Sequence, residues 1–203
     1  LGTGLDGLTI TQGLTTRHVE QFVFANGTIL GLEEVRDRLL TGTIGDDVLI
    51  GFDDRDDTLD GGSGSDALEG GLGADIYKFG IGSGADSVRD TGGIDRIEFG
   101  PGVSAAMLAF SDEDGSLLVR LKGTDDSLII LGGAAKSSSA QRVEIFAFED
   151  GSTVAIADIL QQIVRQRATD GSDVIDARTG TPIAVSGGLN DDLIHGDRNT
   201  TTL

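Results

Sequence analysis

Residues 61–77 read GGSGSDALEGGLGADIY, and within them the phrase Gly-Gly-x-Gly-x-Asp-x-apolar-x occurs twice without a break. The first copy runs from Gly61 to Glu69 and the second from Gly70 to Lys78. Each carries an aspartate, Asp66 or Asp75, two residues ahead of a large apolar side chain, Leu68 or Tyr77. The same ruler extends outward in both directions. Asp47, Asp57, Asp66, Asp75, Asp86 and Asp95 follow one another at intervals of 10, 9, 9, 11 and 9 residues. Two places after each stands Leu49, Leu59, Leu68, Tyr77, Val88 or Ile97. Two places before stands Gly45, Gly64, Gly73, Gly84 or Gly93; only in the second copy does Asp54-Arg55 break the pattern.

Residue types in this order point to cation chemistry. Glycine allows left-handed turn geometry and a close approach of peptide carbonyls, and an aspartate at the same turn adds charged oxygen. Calcium takes six to eight oxygens in flexible geometry, whereas magnesium demands a stricter octahedron and keeps its waters. The pattern resembles the nonapeptide repeat of RTX proteins, the haemolysin-type calcium-binding family, whose repeats coil into a parallel β-roll. That resemblance implies several calcium ions between stacked turns, two nonapeptides to a coil, and apolar residues pointing inward. Asp47, Asp66 and Asp86 would then line one edge and Asp57, Asp75 and Asp95 the other, with backbone carbonyls near Gly45, Gly64, Gly73, Gly84 and Gly93 completing the sites. The copy at 51–60, GFDDRDDTLD, departs most from the repeat, and its ion site is correspondingly weakened. After residue 168 the pattern returns in eroded form, with Asp173 and Asp192 spaced 19 apart beside Gly171 and Asn190. Pro182 and Thr201 fall where the opposite edge needs an acid, so this second roll is expected to hold calcium on one side only.

The composition agrees with such a backbone. The 203 residues include 32 glycines but only 4% aromatics, which favours tight turns over a large globular core. The formal charge of -19 makes nucleic acid and anionic membrane poor partners and cations natural ones. Residues 42–98 alone carry fourteen acids against four bases, a net of -10, in register with the glycines. Cysteine is absent, which excludes disulfides and zinc-thiolate sites. No apolar run is long enough to span a membrane, so membrane insertion is not expected. The N-terminal LGTGLDGLTITQG lacks a signal-peptide layout, and the chain reads as a soluble piece of something longer.

A second, longer repeat organises the flanks. VEQFVFANGTILGLEEVRDRLL from Val19 is echoed by VEIFAFEDGSTVAIADILQQIV from Val143, 124 positions on. Each copy predicts a strand with its aromatics on one face, a tight turn at Asn26-Gly27 or Asp150-Gly151, a returning strand and a short amphipathic helix. The helical stripes are Leu32, Val35 and Leu39 in the first copy and Ile156, Ile159, Leu160, Ile163 and Val164 in the second, expected to pack on the adjoining strands. Between Asp95 and Val143 antiparallel strands are predicted near residues 108–111, 117–121 and 128–131, with a polar loop at 136–141. The acidic turns at 112–115 and 123–126 lack the ligand ladder of an EF-hand and read as hairpin turns. The predicted class is therefore all-β: a parallel β-roll joined to antiparallel segments each ending in a short helix. Four regions follow: 1–41, the end of a β-rich unit with helix; 42–98, the roll; 99–168, a β-rich segment ending in helix; and 169–203, the start of a degenerate roll. The segments at 99–168 and 1–40 are similar to the haemolysin-type calcium-binding related domain, on the phrases DRIEFGPGVS, DSLIIL and VEIFAFEDGSTV.

Catalysis is not expected within these residues. His18 and His195 lie in unrelated contexts without a nucleophile, Gly2–Gly7 matches a dinucleotide fingerprint but lacks a βαβ setting, and Ser63 and Ser83 lack elbow spacing. Without cation the clustered carboxylates repel and a thin core cannot offset ordering entropy, so the rolls are expected to fold on binding calcium. Extracellular modules bind in the range of about 0.1–1 mM, which would delay folding until export. The resemblance implies a bacterial extracellular or cell-surface protein exported by type I secretion. Within that frame the module is expected to be a structural unit of a large secreted repeat protein. The alternatives are a repeat of a self-assembling adhesin, fibre or layer, whose partners are other copies or a cell surface, and an accessory module of a toxin or hydrolase.

Overall fold

The computed structural model describes residues 21–134, 143–167, 174–176 and 193–195. The chain divides into two compact units, Leu1–Leu39 and Leu40–Leu203. In the first, strand β1 (Gln21–Val23) turns back on β2 (Ile29–Gly31), pairing Phe22 with Leu30. Gly27 takes a φ of 84° in the turn and the Asn26 side chain accepts the Thr28 N–H at 3.0 Å, as the Asn-Gly pair requires. Helix α1 (Leu32–Leu39) follows, with Glu33 and Glu34 in its first turn and Arg36 and Arg38 in its last, each sign suited to the helix dipole there. The expected stripe is corrected here. Leu32 and Arg36 are the buried positions, Val35 is half-buried and Leu39, the last residue of a two-turn helix, is exposed. Phe24 is also exposed, because the first copy of the repeat has only β2 and α1 beside it among the described residues of its unit.

The second unit begins with six short strands: β3 (Val48–Ile50), β4 (Thr58–Asp60), β5 (Ala67–Glu69), β6 (Ile76–Phe79), β7 (Ala85–Arg89) and β8 (Asp95–Phe99). They alternate between two parallel ladders. Leu49 pairs with Leu68 and Leu68 with Val88 in one, while Leu59 pairs with Tyr77 and Tyr77 with Ile97 in the other. This is the expected roll, two strands to a coil, and all six of these apolar residues are buried between the ladders. Side chains alternate across each strand, so a single register sends every second residue into the core.

The later strands are β9 (Leu108–Glu113), β10 (Ser116–Leu121), β11 (Ser127–Ile130), β12 (Val143–Ala147) and β13 (Thr153–Ala155), and α2 spans Ile156–Arg167. Strands β9, β10 and β11 form the expected antiparallel meander, and β12 and β13 the expected hairpin. Their attachment is less obvious from sequence. Strand β11 adds in parallel to β7, and β12 in parallel to β8, so the two sheets run β3-β5-β7-β11-β10-β9 and β13-β12-β8-β6-β4. Both ladders of the roll are thus continued by strands 40 to 50 residues further along the chain, and the core thickens there. Phe99 stacks on Phe148 at 5.0 Å between centroids and lies 6.2 Å from Phe146. Ile156, Ile159, Leu160 and Ile163 of α2 are buried in the same cluster, as the spacing predicts.

Beyond α2, β14 (Val174–Asp176) and β15 (Leu193–His195) pair in parallel, Ile175 opposite Ile194. The offset is that of one coil of the roll. Asp173, Asp192, Gly171, Asn190, Pro182 and Thr201 lie outside the described residues, as do His18, Val164's side chain and the loop at 136–141.

Candidate metal centre

The turns that link the two ladders carry the acids, and the register stacks them. Asp47 and Asp66 precede β3 and β5 and Asp86 lies at the start of β7 on one edge; Asp57, Asp75 and Asp95 precede or open β4, β6 and β8 on the other. Each coil is tied to the next by the same bond. The carboxylate of Asp66 accepts the N–H of Asp47 at 2.8 Å, and that of Asp86 the N–H of Asp66 at 3.0 Å. On the opposite edge Asp75 accepts from Asp57 and Asp95 from Asp75, both at 2.8 Å. These bonds occupy one oxygen, Oδ1, of each acid.

The second oxygen is the informative one. Oδ2 of Asp66, Asp75 and Asp95 is buried and has no hydrogen-bond partner among the described residues. A buried polar atom left unpaired costs about 1–3 kcal/mol, and more when charged, so three on the two edges of one roll ask for a ligand. Around them the backbone is drawn in. A Cβ placed on Gly61 would collide with Oδ2 of Asp66, and one on Gly70 with Oδ2 of Asp75. The carbonyl oxygens of Gly61 and Gly70 lie in turn against Gly42 and Gly51. Gly64, Gly73, Gly84 and Gly93 all hold positive φ, and at Gly64 a Cβ would stand 2.8 Å from the carbonyl oxygen of Gly45. Only glycine lets successive turns approach so closely. The donors are all oxygen, part carboxylate and part carbonyl, which suits a hard cation and calcium in particular. Asp66, Asp75, Asp86 and Asp95 would hold such ions. Bound calcium would supply the positive charge that the turn acids lack.

Electrostatics point the same way. Burial pushes the carboxyls of Asp75 and Asp86 up from 3.8 to about 6, against the pull of a backbone N–H, with neighbouring acids adding to the rise. Asp95 rises to about 7, through burial and the facing Asp90 and Glu144 carboxylates, and Asp66 rises through burial first. Desolvation and like charge both disfavour ionisation, and a cation reverses both.

The other two turn acids are differently placed. Oδ2 of Asp57 accepts the Phe52 N–H and Oδ1 pairs with the Arg55 guanidinium, both at 2.5 Å, while Arg55 also lies over the Phe52 ring. The residue that breaks the glycine pattern thus brings a positive charge of its own. Oδ2 of half-buried Asp47 accepts from the backbone and hydroxyl of Thr43.

Three residues that sequence reasoning passed over belong to the same edges. Asp90 stands where the nonapeptide has its first glycine; it is 1% exposed and its carboxylate lies within 4.8 Å of those of Asp75 and Asp95. Its position one coil, two repeats, after Gly70 was the available signal. Asp126, in the turn at 123–126, accepts the N–H groups of Gly82 at 3.0 Å and Gly84 at 2.8 Å. Burial pushes its carboxyl up, but these donors and Thr124 outweigh burial and hold it below 3.8. Glu144 accepts the Asp95 N–H at 2.9 Å, as Asp95 does for Asp75. The last coil is therefore closed by acids 42 to 49 residues away, which no local spacing announces.

Residues 117–158 match the family model of the haemolysin-type calcium binding protein related domain. The matched segment is about a fifth of the chain and is similar to that domain. The match covers β10 to the start of α2, the part that extends the roll's sheets, and the RTX resemblance of the preceding repeats stands beside it. The chain is also 36% identical over 119 residues, 56% of its length, to the iron-regulated protein FrpA of Neisseria meningitidis serogroup C. It spans about a tenth of that relative's length. These likenesses support a calcium-binding repeat module; the described residues are all-β with two short helices, and neither helix is long and apolar enough to cross a membrane.

Proposed function

We propose that the module is a calcium-dependent folding unit of a larger exported protein, without catalytic activity of its own. The observation that carries this reading is the set of partnerless buried oxygens on Asp66, on one edge, and on Asp75 and Asp95, on the other. A fold that buries ionised acids with no counter-charge is poorly stable, and one that gains calcium there is held together by it, so binding free energy becomes folding free energy. Low cytosolic calcium then keeps the chain unfolded for export, and higher extracellular calcium folds it outside the cell.

Within this reading the internal 124-residue repeat favours a structural role in a tandem array over service to an attached catalytic domain. The pairing of β14 with β15 in the register of a new coil supports it as well, since one unit leads into the next. Calcium-stiffened units stacked end to end would suit a surface adhesin, fibre or layer. The test is far-UV circular dichroism with and without a chelator, paired with calorimetric calcium titration and electron microscopy. Loss of β signal in chelator and its return with calcium are expected. An unchanged spectrum together with no calcium heat would refute the reading, and calcium-dependent fibres would place self-assembly above the other roles.

A further inference from the structure

The two edges of the roll are not equivalent. On the edge of Asp66 and Asp86 the first place of each turn is filled by Gly42, Gly61 and Gly80, whereas on the other it is filled by Gly51, Gly70 and then Asp90. Asp90 brings a third carboxylate to a space that already holds Asp75 and Asp95, exposed by 0% and 1%. Two of the three present an Oδ2 that is buried and partnerless.

Asp90 is itself held from two sides. Its Oδ1 accepts the Gly92 N–H at 2.8 Å and its Oδ2 accepts the Tyr77 hydroxyl at 2.5 Å. Tyr77 is fully buried, and its hydroxyl oxygen accepts the Gly70 N–H at 2.9 Å, which directs the phenolic hydrogen toward Asp90. A Cβ on Gly70 would clash with the Tyr77 hydroxyl and with Oδ2 of Asp75, and would lie 2.9 Å from Oδ2 of Asp90, so these oxygens converge on one point of the chain. The tyrosine occupies the inward apolar place of its repeat, and only there does that residue carry a polar tip.

We infer that Asp75, Asp90 and Asp95, oriented by Tyr77, form a three-carboxylate cation site that binds more tightly than the other turns and fills before them. The inference rests on the calcium reading of the roll and adds a site order to it. Affinity in oxygen-ligand sites rises with the number of charged ligands and with their rigidity, and this site leads on both counts. Asp90 thereby makes one turn of the stack the nucleus on which calcium-driven folding begins.

Tyr77 also supplies the probe, because it is the chain's single tyrosine and there is no tryptophan. Terbium bound beside it gains emission when the phenol is excited, and energy transfer falls with the sixth power of distance. The full chain is titrated with terbium, with calcium as competitor, alongside Asp90→Asn and Asp90→Gly. The first variant keeps an acceptor for Tyr77, and the second restores the repeat's own residue, so it decides the matter if the first fails to fold. In the parent, emission is expected with the first metal bound. In both variants its midpoint moves about tenfold or more to higher metal, equivalent to about 1.4 kcal/mol. Midpoints unchanged in the folded variants, or parent emission only after other sites fill, would overturn the inference while leaving the calcium reading intact if calorimetry still shows calcium binding. Absence of any calcium heat in the parent would remove both.

Discussion

Replacing Asp75 by asparagine separates the two roles of its carboxylate. Oδ1 accepts the Asp57 N–H, and an amide oxygen can keep that bond. Oδ2 is buried without a partner, and the amide removes its charge. In chelator at about pH 7, holding Asp75 ionised although burial has raised it from 3.8 to about 6 costs up to about 3 kcal/mol, at about 1.4 kcal/mol per pH unit. Relaxation and nearby solvent reduce this to about 1–2 kcal/mol. The asparagine form should therefore be more stable than the parent in chelator by about that amount. In calcium that advantage is largely cancelled. At a hundred times the dissociation constant one site adds about 2.7 kcal/mol, and a tenfold weaker site only about 1.4 kcal/mol. Urea unfolding in chelator and in saturating calcium measures both. Asp75→Ala is the contrast, since it also removes the acceptor for a buried N–H and should lose about 1–3 kcal/mol in either condition. An asparagine variant that is destabilised in chelator and keeps its full calcium increment would show that Oδ2 does not face an ion.

Acid should substitute for calcium. Asp75, Asp86 and Asp95 have folded-state values of about 6 to 7, above the unfolded value near 4, so the stability they contribute is complete below about pH 4 and is lost as pH rises through 6 to 7. Thermal unfolding in chelator should accordingly show a midpoint that falls between about pH 5 and pH 8, and a flat profile would contradict the burial of these charges. Arg55→Gly removes the guanidinium that pairs with buried Asp57 and restores the repeat's own residue. It should cost about 3 kcal/mol in chelator, as breaking a buried pair does, and calcium should recover most of it, with one additional ion seen by calorimetry.

Much of this was legible in the chain. The nine- to eleven-residue spacing of Asp47 to Asp95 and the apolar residue two places after each acid are local patterns, and they placed the core residues Leu49 to Ile97 and the two acidic edges without any coordinates. The Asn26-Gly27 and Asp150-Gly151 turns and the α2 stripe were read in the same way, because turn geometry and helical period are written in adjacent residues. The α1 stripe was misread at Leu39, since a two-turn helix leaves its last residue at an end that periodicity does not see.

Tertiary structure decided what happens at the Asp66–Tyr77 stretch once it is stacked. Which acids keep a partnerless oxygen is decided by how each turn closes when packed: Arg55 and Phe52 of the same turn satisfy Asp57, Thr43 likewise occupies Asp47, and among the described residues nothing takes Oδ2 of Asp66, Asp75 or Asp95. The addition of β11 and β12 to the roll, the closure of its last coil by Asp126 and Glu144, and the meeting of Asp90 with Tyr77 likewise join residues 13 to 49 positions apart. Spacing along a chain specifies a repeat. The unmet charge inside it is a property of the packed stack, because burial and the absence of a hydrogen-bond partner exist only after the turns have come together.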